Sequence, residues 1–230
     1  MTAPAARPAS TLLLLLALLA LQLPTLTTAL RPKFSWNTLG NMTFFHACNE
    51  SGLFSEEALD TIVKFPMVTI EKGQGFNDGS PPCSATGGSC AEDKILAQIS
   101  AVKHRDPTIS TVFYMNSVLD WYFYRMHYQY LQHPDWWLTC SAGPDSDADA
   151  AKCAALGAPF YTSGDSHFNP PEEGMLVFDD SKPEVRSFWL DVCFKAVATG
   201  LVDGCFSDSS EVGSHGTESA LNRTASDYTS

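Results

Sequence analysis

The residues best placed for chemistry stand at the ends of short strand-like segments. Gly204, Phe206 and Asp208 alternate with Asp203, Cys205 and Ser207, the period-two pattern of a strand, and the strand ends on a carboxylate. In α/β folds the carboxyl ends of strands are where chemistry is done. Glu71 ends a second such segment on the parity of Met67 and Thr69. Hydrolysis of a glycosidic bond needs two carboxyl groups across it, one protonated and one not. Asp208 is the expected nucleophile; Glu71 is read as the second carboxylate or as a holder of sugar hydroxyls. His46 and Asn116 occupy equivalent strand ends and suit hydrogen bonds to hydroxyls. Trp121, Trp136 and Trp137 offer flat apolar faces on which sugar rings stack. Asp179 is grouped with them, although it and Asp180 mainly mark a helix start. Each residue has a plainer reading: an acid bonded to its own loop, an ion pair of Glu71 with Lys72 or Arg125, backbone capping, or loop packing. No HxH, HExxH or CxxC pair is present, so neither a metal nor another cofactor is expected.

These residues need strands and helices in alternation. Thr43–Ala47, Met67–Glu71, Thr111–Asn116 and Asp203–Asp208 read as strands, with Met175–Phe178 as a further extended run. Ser55 caps a short helix that has Glu56 and Glu57 in its first turn. Ser89 with Glu92, and Ser181 with Glu184, have capping-box spacing ahead of helices carrying Ile95, Leu96, Ile99 and Val102, and Val185, Phe188, Trp189, Val192 and Ala196. Gly200 closes the second of these helices. Trp121–Gln132 reads as an aromatic helix broken by His133-Pro134. Thr139–Gly174 is polar, Pro/Gly-rich and acidic, a surface loop of the length reserved for function. Beyond Asp208 the pattern stops.

The N-terminus reads as a targeting segment. Arg7 precedes an apolar run of ten, Leu12–Leu21. That run is far short of the roughly 20 residues a membrane helix needs. Thr27 and Ala29 are small residues suited to cleavage after Ala29, so 1–29 is a signal peptide and 30–230 is a secreted chain. The formal net charge of −12, with no basic patch, argues against nucleic acid and anionic membrane as partners. It is compatible with a neutral carbohydrate. Seven cysteines in a secreted chain imply disulfides with one thiol left over. Cys83 with Cys90, and Cys140 with Cys153, bracket loops and form natural staples. Cys193 and Cys205 either meet or stay buried thiols, and Cys48 is the odd one. Asn41, Asn49 and Asn222 begin glycosylation sequons.

His133-Pro134-Asp135-Trp136, then VFDDSKPEVRSFW over 177–189, then DGCFSD over 203–208, form an ordered series. It resembles the α-galactosidase and α-glucosidase clan of retaining glycoside hydrolases, and also a set of secreted glycosidase-like barrels. The resemblance covers His133 to Asp208 and places Asp208 at the clan's nucleophile. It departs where the clan has Lys or Trp before the aspartate and Met-Asn after it; here Ser207 and Ser209 flank the residue. The clan's acid/base stands on a later strand. The resemblance therefore implies an α/β chain forming a (β/α)8 TIM barrel, cut after strand four or five. In this reading 30–208 is the N-terminal part of the barrel and 209–230 a polar tail. An open doubly wound sheet is the alternative fold. A glycan-binding or wall-associated protein without catalysis is the alternative function.

Overall fold

The computed structural model describes residues 44–140, 155, 157–162 and 175–210. The expected signal peptide 1–29, Cys153 and most of the expected tail 209–230 lie outside them. Four parallel strands form one sheet in the order β1 (Phe44–Ala47), β2 (Met67–Ile70), β3 (Ser110–Asn116) and β6 (Gly204–Asp208). A two-stranded antiparallel ribbon, β4 (Tyr161–Thr162) with β5 (Met175–Leu176), stands apart from it. The helices are α1 (Glu56–Ile62), α2 (Ala91–Arg105), α3 (Arg125–Tyr130) and α4 (Pro183–Ala198).

This arrangement overturns the (β/α)8 barrel. Closure needs each strand to have two partners and a matching stagger around the ring. Here β1 and β6 are end strands of an open sheet among the described residues. The alternation of strands and helices was enough to specify parallel pairing, and pairing alone does not specify closure. The strand order also runs without reversal, so the described sheet has no doubly wound switch point.

One face of the sheet is the helix face. Phe113 lines a cavity of about 130 Å³ together with Leu96 of α2 and Val192 and Ala196 of α4, which puts both helices on its side. Cys205, paired in register with Phe113, is disulfide-bonded to Cys193 of α4. Ile95, Ile99 and Val102 of α2 are buried with Val68, Ile70 and Phe113 in the core. The opposite face carries Thr69, Tyr114, Asn116, Phe206 and Asp208 by strand alternation.

Local chemistry fixes the helix starts, in two cases differently from the spacing. Ser55 does cap α1, its hydroxyl accepting from the Ala58 N–H at 3.2 Å. Ser181 does not cap α4: Pro183 takes the first helical position, where its missing N–H costs nothing, and Lys182 becomes the cap. Ser181 instead donates to Asp179 at 2.6 Å. Cys90, tied to Cys83, takes the cap position of α2 and displaces Ser89. Gly88 in that loop has φ +98°, and an added Cβ would lie 1.9 Å from the Pro82 carbonyl oxygen, so no side chain fits there. Glu92, freed from its own helix start, reaches across and accepts from the N–H groups of Arg125 at 2.8 Å and Met126 at 3.0 Å, capping α3.

The aromatic helix is shorter than its pattern implied, because 122–124 form a turn and the helix starts only at Arg125. Within the expected surface loop 139–174, Cys140 and Phe160 are buried, and Phe160 N–H donates to Leu138 O at 2.8 Å. Cys140 is disulfide-bonded; the expected partner Cys153 lies outside the described residues. Cys83–Cys90 forms as expected, and Cys48 is a free thiol.

Burial pushes the Tyr114, Tyr124 and Tyr130 hydroxyls well above the ordinary tyrosine range. Their folded values exceed the unfolded one, so the stability they contribute is intact below about pH 10 and is lost as pH rises beyond it. Ultraviolet titration should show these three phenols ionising only together with unfolding. Reversible ionisation of all tyrosines near pH 10 in the folded protein would contradict this burial.

Candidate functional site

Asn116 and Asp208 are Cα partners at the carboxyl ends of β3 and β6. Three donors converge on the Asp208 carboxylate. The Tyr114 hydroxyl donates to Oδ2 at 2.5 Å, the Asn116 amide donates to Oδ2 at 3.3 Å, and the Ser209 N–H donates to Oδ1 at 2.9 Å. Burial first, and then the Asp208 hydrogen bond, hold Tyr114 protonated far into the alkaline range. It is therefore a permanent donor to this carboxylate. Ser209 sits at φ +58°, a left-handed conformation that a residue other than glycine takes only when its surroundings hold it there. Ser117 fixes the Asp208 main chain, its N–H and hydroxyl both donating to the Asp208 carbonyl, at 2.9 and 2.8 Å.

Asn116 is locked in turn. Its side-chain oxygen accepts from the N–H groups of Val118 at 2.8 Å and Leu119 at 2.6 Å, and the Trp189 indole of α4 donates to its carbonyl at 2.8 Å. At the other end of β6, Asp203 Oδ2 accepts from the Thr111 N–H at 2.8 Å and from Lys103 at 2.7 Å. The strand that presents Asp208 is thus pinned to β3 at both ends.

Glu71 follows β2 directly, its N–H bonded to Ala47 O at 2.9 Å. Lys72 pairs with its Oε1, and the Gly73 N–H donates to its Oε2 at 3.0 Å. The ion pair with Lys72 is the plainer of the readings the sequence offered. Glu71 and Asp208 are the two carboxylates whose charges raise Tyr114. The Lys72 ammonium lies 5.0 Å from the Tyr114 ring centroid and 5.3 Å from that of Trp121, joining both rings to this group. A cleft of about 310 Å³ opens beside Lys72, lined among others by Gln74, Asn77, Lys94, Tyr122 and Phe123. On the same sheet face, the Thr69 hydroxyl oxygen is buried without a hydrogen-bond partner.

The remaining expected residues divide. His46 pairs in register with Thr69, and its side chain lies outside the described residues. Trp121 is buried beside Lys72. Trp136 stacks on His133 at 3.8 Å and meets Phe188 at 5.5 Å, and the Trp137 indole donates to Tyr130 O at 3.1 Å. Both rings pack on α3 and α4 rather than on the Asp208 group. Asp179 is buried and holds Ser181 and Lys182 at the start of α4.

Two features escaped the sequence reading. Tyr114 shares strand parity with Asn116, a signal available in the alternation. Asp120, wholly buried, has Oδ2 2.7 Å from His127 Nδ1, while its other oxygen is buried without a partner. Burial raises the Asp120 carboxyl, and the His127 hydrogen bond opposes that. No spacing rule joins these two across a turn.

Compared with known proteins, the chain matches no family model and no curated protein. The resemblance over 133–208 rests on its ordered residues alone.

Truncating Asn116 to Ala removes the acceptor of two N–H groups, one of them on buried Leu119. Urea unfolding should register a loss of about 1–3 kcal/mol. An unchanged midpoint would show that the strand-end network contributes nothing.

Proposed function

We propose that the chain is a secreted glycoside hydrolase acting with retention on a carbohydrate, with Asp208 as the nucleophile and Glu71 as the second carboxylate. The observation that carries the reading is the Asp208 carboxylate, held by three donors at the carboxyl end of a parallel strand. A nucleophile must be aimed before it attacks, and rigid strands aim better than loops. In the first step Asp208 attacks the anomeric carbon while the second carboxyl protonates the departing oxygen. In the second step that group takes a proton from water, which cleaves the glycosyl ester and regenerates both residues. Asn116 and Tyr114 orient the nucleophile, and the cleft beside Lys72 offers amide, hydroxyl and aromatic groups of the kind sugars engage.

Secretion is part of the proposal. Cys83–Cys90 and Cys193–Cys205 suit an oxidising compartment, and no described helix is long and apolar enough to cross a membrane. The targeting pattern of 1–29 points the same way. A glycan-binding role without catalysis is the second reading, and the engagement of both Glu71 oxygens by Lys72 and Gly73 favours it.

Aryl α-galactosides and α-glucosides separate the two. The mature protein should hydrolyse one of them, and Asp208→Asn, nearly identical in shape, should lower turnover by orders of magnitude while leaving the thermal melt close to wild type. Glycan affinity without hydrolysis would select the second reading. Equal turnover by Asp208→Asn would remove Asp208 from the chemistry.

A further inference from the structure

The largest apolar anomaly on the described surface lies on α4. Leu190, Phe194 and Val197 are 44%, 62% and 38% exposed, and with Leu53 they are the large hydrophobic side chains left open to solvent. They recur at i, i+4 and i+7, so they form one stripe along the helix. Cys193, beside the stripe, is bonded to Cys205. The stripe therefore lies on the flank of α4 next to the end strand β6, all of whose residues are half-buried. A contiguous apolar patch of this kind marks an interaction surface.

We propose that α4 and β6 form a two-fold interface between two copies of this chain. Reversed, the stripe matches itself to within one residue. An antiparallel pair of α4 helices, centred between Cys193 and Phe194, sets Leu190 against the partner's Val197 and leaves the two Phe194 rings one residue apart along the helices. The flanking charges obey the same symmetry. Asp191 and Lys195, paired within the helix at 3.4 Å and both exposed, each come within one residue of the opposite charge across the axis. An isologous contact requires this self-complementarity, and an unrelated partner does not. The same axis brings the two β6 strands side by side beneath the helices, extending the sheet from one copy into the next.

Sedimentation equilibrium of the mature chain with disulfides intact tests the assignment. A dimer is expected, and Phe194→Asp should raise its dissociation constant by at least about tenfold. Its circular dichroism should be unchanged, because Phe194 is exposed. Asp191→Lys and Lys195→Asp should each weaken the dimer, and the double exchange D191K/K195D should restore it. A monomeric wild-type chain, whether or not it binds lipid vesicles or another protein, would overturn the proposal. So would a dimer that Phe194→Asp leaves intact.

Discussion

Asn116 and Asp208 are separated by 92 residues of chain, and only the parallel pairing of β3 with β6 makes them neighbours. Parallel strands cannot be joined by a tight turn, so the connection must cross the sheet and return, here through α4. Ordering so long a connection is entropically unfavourable. Burial offsets it. β3 is buried along nearly its whole length, and Val185 and Ala196 of α4 complete the layer above it. The Cys193–Cys205 bond closes the short loop between helix and strand, and Asp203 ties the start of β6 to the Thr111 N–H and to Lys103.

From that pairing the two faces of the sheet acquire different work. The helix face is apolar and carries the packing of α2 and α4. The other face gathers the polar strand ends, and its groups restrain one another. Tyr114 serves Asp208, Asn116 serves both Asp208 and the next turn, and Glu71 is held by Lys72. Trp189 links the faces, since it packs with α4 yet donates to the Asn116 carbonyl. A buried network of this kind is stiff because each unmade bond would leave a buried polar group unsatisfied. The conformation of Ser209 at φ +58° persists for the same reason.

The sequence disclosed the elements better than their assembly. Period-two alternation grouped Asp208 with Gly204 and Phe206, Asn116 was legible as an equivalent strand end, and apolar spacing placed α2 and α4. Ser55 was legible as a cap because nothing competed for the position, whereas Pro183 and the Cys83–Cys90 bond moved the starts of α4 and α2. Closure into a barrel was not legible, because it depends on strand number and stagger rather than on any local pattern. The aromatic segment misled for a related reason: Trp136 and Trp137 look like sugar-stacking rings in sequence, but Trp137 bonds back to Tyr130 and Trp136 meets Phe188, far along the chain. The Asp120–His127 pair depends on a turn whose geometry no spacing rule announces.

The central claim is that the strand-end carboxylate of β6 forms a covalent glycosyl ester. A 2-deoxy-2-fluoro glycosyl fluoride, which slows the breakdown of such an ester more than its formation, reads this directly. After exposure of the mature protein, the intact mass should rise by one fluoroglycosyl group, and peptide mapping should place it on Asp208. A label on any other carboxylate, or no label from a sugar that the protein turns over, would contradict the account.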